Sequence, residues 1–189
     1  MTSGIAFALL GAGLAIIFAG VGSTTGVCRI GSAANAVLSK EPKLFSKLLI
    51  LILLPSSQSI YALTVAFMIF MRLGILPGQG LMAISANTGL AIMVLCLPVG
   101  IIGGMSAALQ GGVGVTAVSL FVKQNKAFGN CILIISASEV FALFGFLISM
   151  LGVLFINLPY SYVPEYYVPY VPQVLEYAET AARLCGLAG

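Results

Sequence analysis

Four apolar runs dominate the chain, at about Ile5–Cys28, Leu44–Met71, Leu81–Val122 and Phe128–Ile156. Each exceeds the roughly 20 residues that a helix needs to cross a bilayer. Hydrocarbon offers no water to backbone N–H and C=O groups, so only helices and closed barrels span it. Runs of this length select helices. Composition agrees: 60% of the residues are hydrophobic and 7% are charged, against roughly 25% charged in a soluble domain. A soluble fold this apolar could not cover its own surface. The expected fold is an all-α membrane protein with four transmembrane helices. Thr2 to Val27 resembles a signal peptide in its small apolar residues. It lacks a basic leading segment and exceeds the usual apolar length, so it reads as a retained span.

The residues that are missing exclude much chemistry. The chain has no histidine and no aspartate. It can build neither a Ser-His-Asp triad nor an HExxH zinc site. Its five acids are all glutamates and are scattered, which argues against paired-carboxylate catalysis. The expectation is therefore a chain without a catalytic site. Cys28, Cys96, Cys131 and Cys185 form no CxxC pair, and three lie in apolar runs, where cysteine behaves as a small hydrophobe. The net charge of +3 comes from few, separated cations, which leaves no nucleic-acid footprint.

Two polar turns separate the runs pairwise: Ser39-Lys40-Glu41-Pro42-Lys43 and Lys123-Gln124-Asn125-Lys126. With Lys47 they carry five lysines, whereas the middle connection from Arg72 to Gly80, broken by Pro77, carries one cation. The positive-inside rule places both turns in the cytoplasm and both termini outside. The halves also repeat. At one constant offset Gly20 falls on Gly103, Gly31 on Gly114, Lys40 on Lys123, Lys43 on Lys126, Phe45 on Phe128 and Tyr61 on Phe144. The matches run through helix, turn and helix without a gap, as in a duplicated hairpin in parallel orientation. The division is a first hairpin at 1–76, a second at 77–156, and a Tyr/Pro-rich tail at 157–189. On this register Glu139 falls on Ser56.

The first and third helices are rich in glycine, which lets backbones approach closely in lipid. The second and fourth carry bulkier Leu, Ile and Phe. Helix–helix contact within one chain would account for this, and so would a crowded inner layer of small-residue helices with bulky helices outside, which is the favoured reading. In the tail, six of the seven tyrosines lie from position 160 onward, a composition suited to the membrane–water interface. Pro172 can open a short helix that ends near Gly186, with Glu179 and Arg183 at i,i+4 spacing.

Glu139 is the acid within an apolar run, and its distance beyond Lys126 amounts to about 20 Å along a helix. A charge at that depth costs several kcal/mol, which marks it as a functional candidate. Gln110 lies as far before Lys123 as Glu139 lies beyond Lys126, and Gln58 lies at a similar remove from Lys43. Three polar residues from three helices thus reach one level. Leu54, Ser57, Gln58 and Tyr61 share a helix face by their i, i+3, i+4, i+7 spacing. Pro55 lacks an N–H and weakens the helix there, which turns nearby carbonyls, Leu54 included, toward a ligand. The oxygens of Leu54, Ser57, Gln58, Gln110 and Glu139 are hard donors. One negative charge among neutral oxygens suits a monovalent cation. The extra amides favour Na⁺; a proton would need the carboxyl and a single partner. Tyr61 is placed to donate its hydroxyl to Glu139.

These residues resemble the proteolipid (c or K) subunit of V-type and related A-type rotary ATPases, over roughly residues 1–156. Pro55-Ser56-Ser57-Gln58 followed by Tyr61 looks like the Na⁺-translocating version, in which Pro-Gly-Thr-Gln precedes a Tyr. Ser57 keeps the hydroxyl of the usual Thr, and Ser56 stands where Gly is usual. The resemblance implies a homo-oligomeric rotor ring in lipid, turning against a stator a/I-type membrane subunit and joined to central-stalk subunits. ATP hydrolysis would occur in partner subunits. Glu139 would carry Na⁺, or alternatively H⁺, as the ring rotates, in a membrane expected to be that of a prokaryotic cell. A stand-alone channel or carrier is the other alternative. The tail from Asn157 has no counterpart in the resemblance.

Overall fold

The computed structural model describes residues 3–75, 82–156, 158 and 161–162. Helix α1 spans Ser3–Leu38. A 3₁₀ turn at Pro42–Leu44 leads into α2 (Phe45–Leu53), and a second at Leu54–Ser56 separates α2 from α3 (Ser57–Arg72). Strand β1 (Met82–Ala83) precedes α4 (Ala86–Lys123). A 3₁₀ turn at Asn125–Ala127, α5 (Phe128–Ser136), α6 (Glu139–Phe155) and β2 (Ser161–Tyr162) complete the described chain. Among the described residues, four helical spans are long and apolar enough to cross a membrane.

The two halves correspond in sequence register. The offset that carries Lys40 onto Lys123 also carries Pro42–Leu44 onto Asn125–Ala127, and α2 onto α5. The break at Leu54–Ser56 likewise falls on Ala137–Glu139, where the fourth span is interrupted. The duplication therefore extends to the interruptions of the outer helices.

Two boundaries differ from the sequence reading. The first span continues past Cys28 to Leu38. Ser32 donates to the Cys28 carbonyl at 2.8 Å, and Arg29 donates across to the Ala108 carbonyl at 3.3 Å. Alanines at 33, 34 and 36 then sustain the helix. The apolar run from Leu81 does not start α4 at once. Met82–Ala83 pairs antiparallel with Ser161–Tyr162, and Ser85 caps α4 by accepting from the Thr88 N–H at 3.2 Å. The short helix read at 172–186, the Glu179–Arg183 pair and the interfacial role of the tail lie outside the described residues.

Helices α1 and α4 pack along their lengths because glycine removes the side chains that would hold them apart. A Cβ added to Gly22 would strike the Gly104 backbone. One on Gly111 would lie 2.5 Å from the Gly26 Cα, and one on Gly26 would lie 2.7 Å from the Pro55 Cβ. Gly26 thus admits both α4 and the break in the second span. Helices α3 and α6 pack on this pair and on each other. At the end opposite the lysine turns, α3 stops at Gly74, whose φ of 66° is the left-handed closing residue. Arg72 donates to the Leu154 and Ile156 carbonyls and so ties α3 to the end of α6. The outer surface stays apolar: Leu133, Phe141 and Leu147 are exposed, as contact with lipid or neighbouring chains requires.

The glycines separate into those that permit contact and those that do not. Gly22→Ala must displace backbone, so it is expected to destabilise by about 1–3 kcal/mol. Gly129→Ala meets open space and is expected to be neutral or stabilising by up to about 1 kcal/mol. Thermal unfolding midpoints of the two variants in detergent check the contrast.

Candidate functional site

Of the three polar side chains nominated at one membrane depth, Gln58 and Gln110 meet between α3 and α4, and Glu139 bonds to Tyr61. Gln58 and Gln110 are both fully buried. Gln58 Nε2 donates to Gln110 Oε1 at 2.8 Å, and Gln110 Nε2 donates to the Ile135 carbonyl at 3.1 Å. Ser57 Oγ lies 3.1 Å from the Leu54 carbonyl and 3.2 Å from Gln58 Oε1, and donates its one proton to either. Leu54, Ser57, Gln58, Gln110 and Ile135 therefore form a continuous chain of partners. Glu139 makes a separate contact: the Tyr61 hydroxyl donates to its Oε1 at 2.8 Å. No hydrogen bond joins Glu139 directly to Ser57, Gln58 or Gln110 among the described residues.

Local structure explains the placement. Pro55 supplies no N–H and produces the 3₁₀ turn at Leu54–Ser56, which ends with the Ser57 N–H on the Leu54 carbonyl. The turn rotates α3 so that Gln58 enters the core while Tyr61 stays half-buried. Tyr61 is further fixed against Phe146, with ring centroids 5.2 Å apart. Glu139 is the first residue of α6. The free N–H groups and dipole of a helix start favour an anion there. A fourth span read as continuous from Phe128 would place Glu139 in mid-helix. The observed interruption at Ala137–Ser138 corrects that reading.

Ser106, Ser138 and the Ile135 carbonyl also belong to the arrangement, although the sequence does not nominate them. Ser106 Oγ donates to the Ser138 carbonyl at 2.7 Å, and Ser138 Oγ donates to the Ile135 carbonyl at 2.9 Å. Two signals point to them: Ser106 lies one turn before Gln110 on α4, and Ser136-Ala137-Ser138 precedes the acid.

The lone-pair inventory defines what the site can do. Each amide or carboxylate oxygen has two acceptor positions. Gln58 Oε1 and Gln110 Oε1 each spend one on the contacts above, and Glu139 Oε2 is not used by Tyr61. The remaining acceptors are all oxygen atoms, the donor type that hard cations prefer. Among the described residues no three His, Cys, Asp or Glu side chains come together to hold a metal. Cys28, Cys96 and Cys131 are free thiols.

Comparison with known proteins agrees with the repeat. The family model for the C subunit of ATP synthase matches residues 10–69 and again 93–152, two segments related by the same offset as the helices. The V-type sodium ATPase subunit K of Enterococcus hirae is 35% identical over 151 residues, covering 80% of this chain and 92% of its own length. The c′ proteolipid of the V-type proton ATPase of Neurospora crassa is 30% identical, covering 76% and 84%. The A-type ATP synthase subunit K of Methanocaldococcus jannaschii is 28% identical, covering 75% and 59%.

The Tyr61–Glu139 contact can be probed with dicyclohexylcarbodiimide, which modifies accessible membrane carboxyls. Removing a hydrogen bond to a charged group costs about 1.5–3 kcal/mol. Tyr61→Phe is expected to speed labelling of Glu139 about tenfold at fixed pH, read by mass spectrometry of the intact chain.

Proposed function

The chain belongs to the family of ATP synthase C subunits, and from that premise we propose that it carries Na⁺ across the membrane on Glu139. It is a rotor proteolipid of the V/A-type ATPases, an integral membrane subunit without a catalytic site of its own. Identical copies form a ring. The ring turns against a stator a/I-type subunit and is driven through central-stalk subunits by ATP hydrolysis elsewhere in the complex. The polar turns at Lys40–Lys43 and Lys123–Lys126 face the cytoplasm and both termini face outward, in a prokaryotic cell membrane.

One observation supports Na⁺ above all: Gln58, Gln110, Ser57 and the Leu54 carbonyl gather neutral oxygens into one hydrogen-bonded cluster, three of the four on the same span as the Tyr61 that bonds Glu139. A proton needs none of them. Relatedness to the sodium ATPase subunit K points the same way.

Charge sets the mechanism. With Na⁺ bound, Glu139 and its ion are neutral together and can pass through lipid. Without it the carboxylate is anionic, and a positive group of the stator compensates it while the ion is exchanged. The Leu54 carbonyl, Ser57 hydroxyl and the two amide oxygens replace the hydration shell of the ion. Tyr61 holds Glu139 in position, and the start of α6 stabilises its charge. Each ion that crosses a 100 mV potential requires about 2.3 kcal/mol, so several are moved per ATP.

A proton-carrying rotor is the second reading. The similarity to the c′ proteolipid of the V-type proton ATPase favours it. Binding of radioactive sodium to the purified ring separates the two. Wild type should bind one ion per chain. Glu139→Gln should bind none, and Gln110→Ala should bind at least about fivefold more weakly, as loss of one ligand implies. A wild-type ring that binds no sodium at neutral pH would overturn the Na⁺ reading.

A further inference from the structure

The second and fourth spans break at equivalent positions by different means. In the second span Pro55 breaks the helix through its ring and its missing N–H. In the fourth span Ser138 stands at the position of Pro55, so no proline is present. Side chains perform the break instead. The Ile135 carbonyl, which a continuous helix would offer to the Glu139 N–H, accepts from Gln110 Nε2 and from Ser138 Oγ. Both of its lone pairs are thereby taken. The Ser138 carbonyl is drawn toward α4 by Ser106 Oγ at 2.7 Å.

The other half supplies an internal control. Ser23 stands where Ser106 stands, one repeat earlier. It is buried, and its hydroxyl has no hydrogen-bond partner among the described residues. Where proline makes the break, the matching hydroxyl is idle. Where proline is missing, the hydroxyl is bonded to the break itself.

We propose that Ser106 is a positioning residue for Glu139: its bond to the Ser138 carbonyl keeps α5 and α6 apart, so that Glu139 begins α6 and meets Tyr61. The inference rests on the reading of Glu139 as the ion carrier. Ser106 itself touches no ion. It acts on the backbone immediately before the acid, and through that backbone sets where the carboxylate points.

A proline exchange provides the test. Ser138 has φ −74°, within the range of proline. Ala137, at φ −58° and ψ −32°, resembles Leu54, which precedes Pro55 at φ −52° and ψ −45°. The fourth span can therefore take the device of the second. Wild type, Ser106→Ala and Ser106→Ala/Ser138→Pro are prepared as assembled rings, and ring mass is measured. Two readouts follow: the rate at which dicyclohexylcarbodiimide labels Glu139 without added Na⁺, and the Na⁺ concentration that halves that rate.

In Ser106→Ala both values should rise about fivefold to tenfold, as loss of one hydrogen bond implies. The double variant should return both to within about twofold of wild type, a recovery that a merely structural hydrogen bond would not give. Ser106→Ala labelling like wild type would overturn the proposal, as would a double variant no better than the single one. If Ser106→Ala rings do not assemble, recovery of assembly and labelling in the double variant supports the role, and failure to recover contradicts it. If Na⁺ gives wild type no protection, the sodium reading alone fails, and the labelling rates still decide the role of Ser106.

Discussion

A backbone carbonyl released inside a membrane has no water to receive it, and it must be satisfied by the protein or by a ligand. This chain interrupts its second span at Leu54–Ser56 and its fourth at Ala137–Ser138, where the Ile135 carbonyl takes side-chain donors. The polar side chains of the core are arranged around those two places. Ser57 donates toward Leu54, Gln110 and Ser138 donate to Ile135, and Ser106 donates to Ser138. The glutamines are thus anchored by the repair of one break and by contact across to the other span. The acid begins the helix that follows the second break. Interruption of the outer helices and construction of the polar site are one feature seen from two sides.

Close approach of the inner helices makes this geometry possible. Gly26 lets Pro55 lie against α1, and Gly104 and Gly111 bring α4 up to the same helix. On α6, a Cβ at Gly145 would stand 2.7 Å from the Pro98 carbonyl oxygen. These contacts seat the second and fourth spans deeply enough for Gln58 on α3 and Gln110 on α4 to touch. Lipid contributes little hydrophobic drive between helices, so small residues that admit backbone contact carry the packing.

Much of this was legible in the sequence. The length of the apolar runs identifies four spans. The constant offset between Lys40 and Lys123, or Phe45 and Phe128, identifies the repeat, which recurs in the helix limits and in the two family matches. Depth counting from the lysine turns anticipates the contact of Gln58 with Gln110, because helical rise is constant. The break in the second span is visible because proline is a local signal. The break before Glu139 is harder to see, because the serines that precede the acid are a weak local signal and the Ile135 carbonyl also takes a donor from another helix, Gln110. The extension of α1 to Leu38 is hidden for a similar reason: Arg29 ends an apolar count but finds the Ala108 carbonyl across the helix pair. The pairing of Met82–Ala83 with Ser161–Tyr162 joins segments far apart in the chain, and no local pattern specifies it.

The proposed transport turns on Glu139 carrying Na⁺. The most direct measurement is ATP-driven uptake of radioactive sodium into vesicles that contain the complete complex, with and without a protonophore. A sodium carrier should give uptake that persists, or increases, when the protonophore collapses any proton gradient. Uptake abolished by the protonophore, or ATP-driven acidification that needs no sodium, would contradict the assignment.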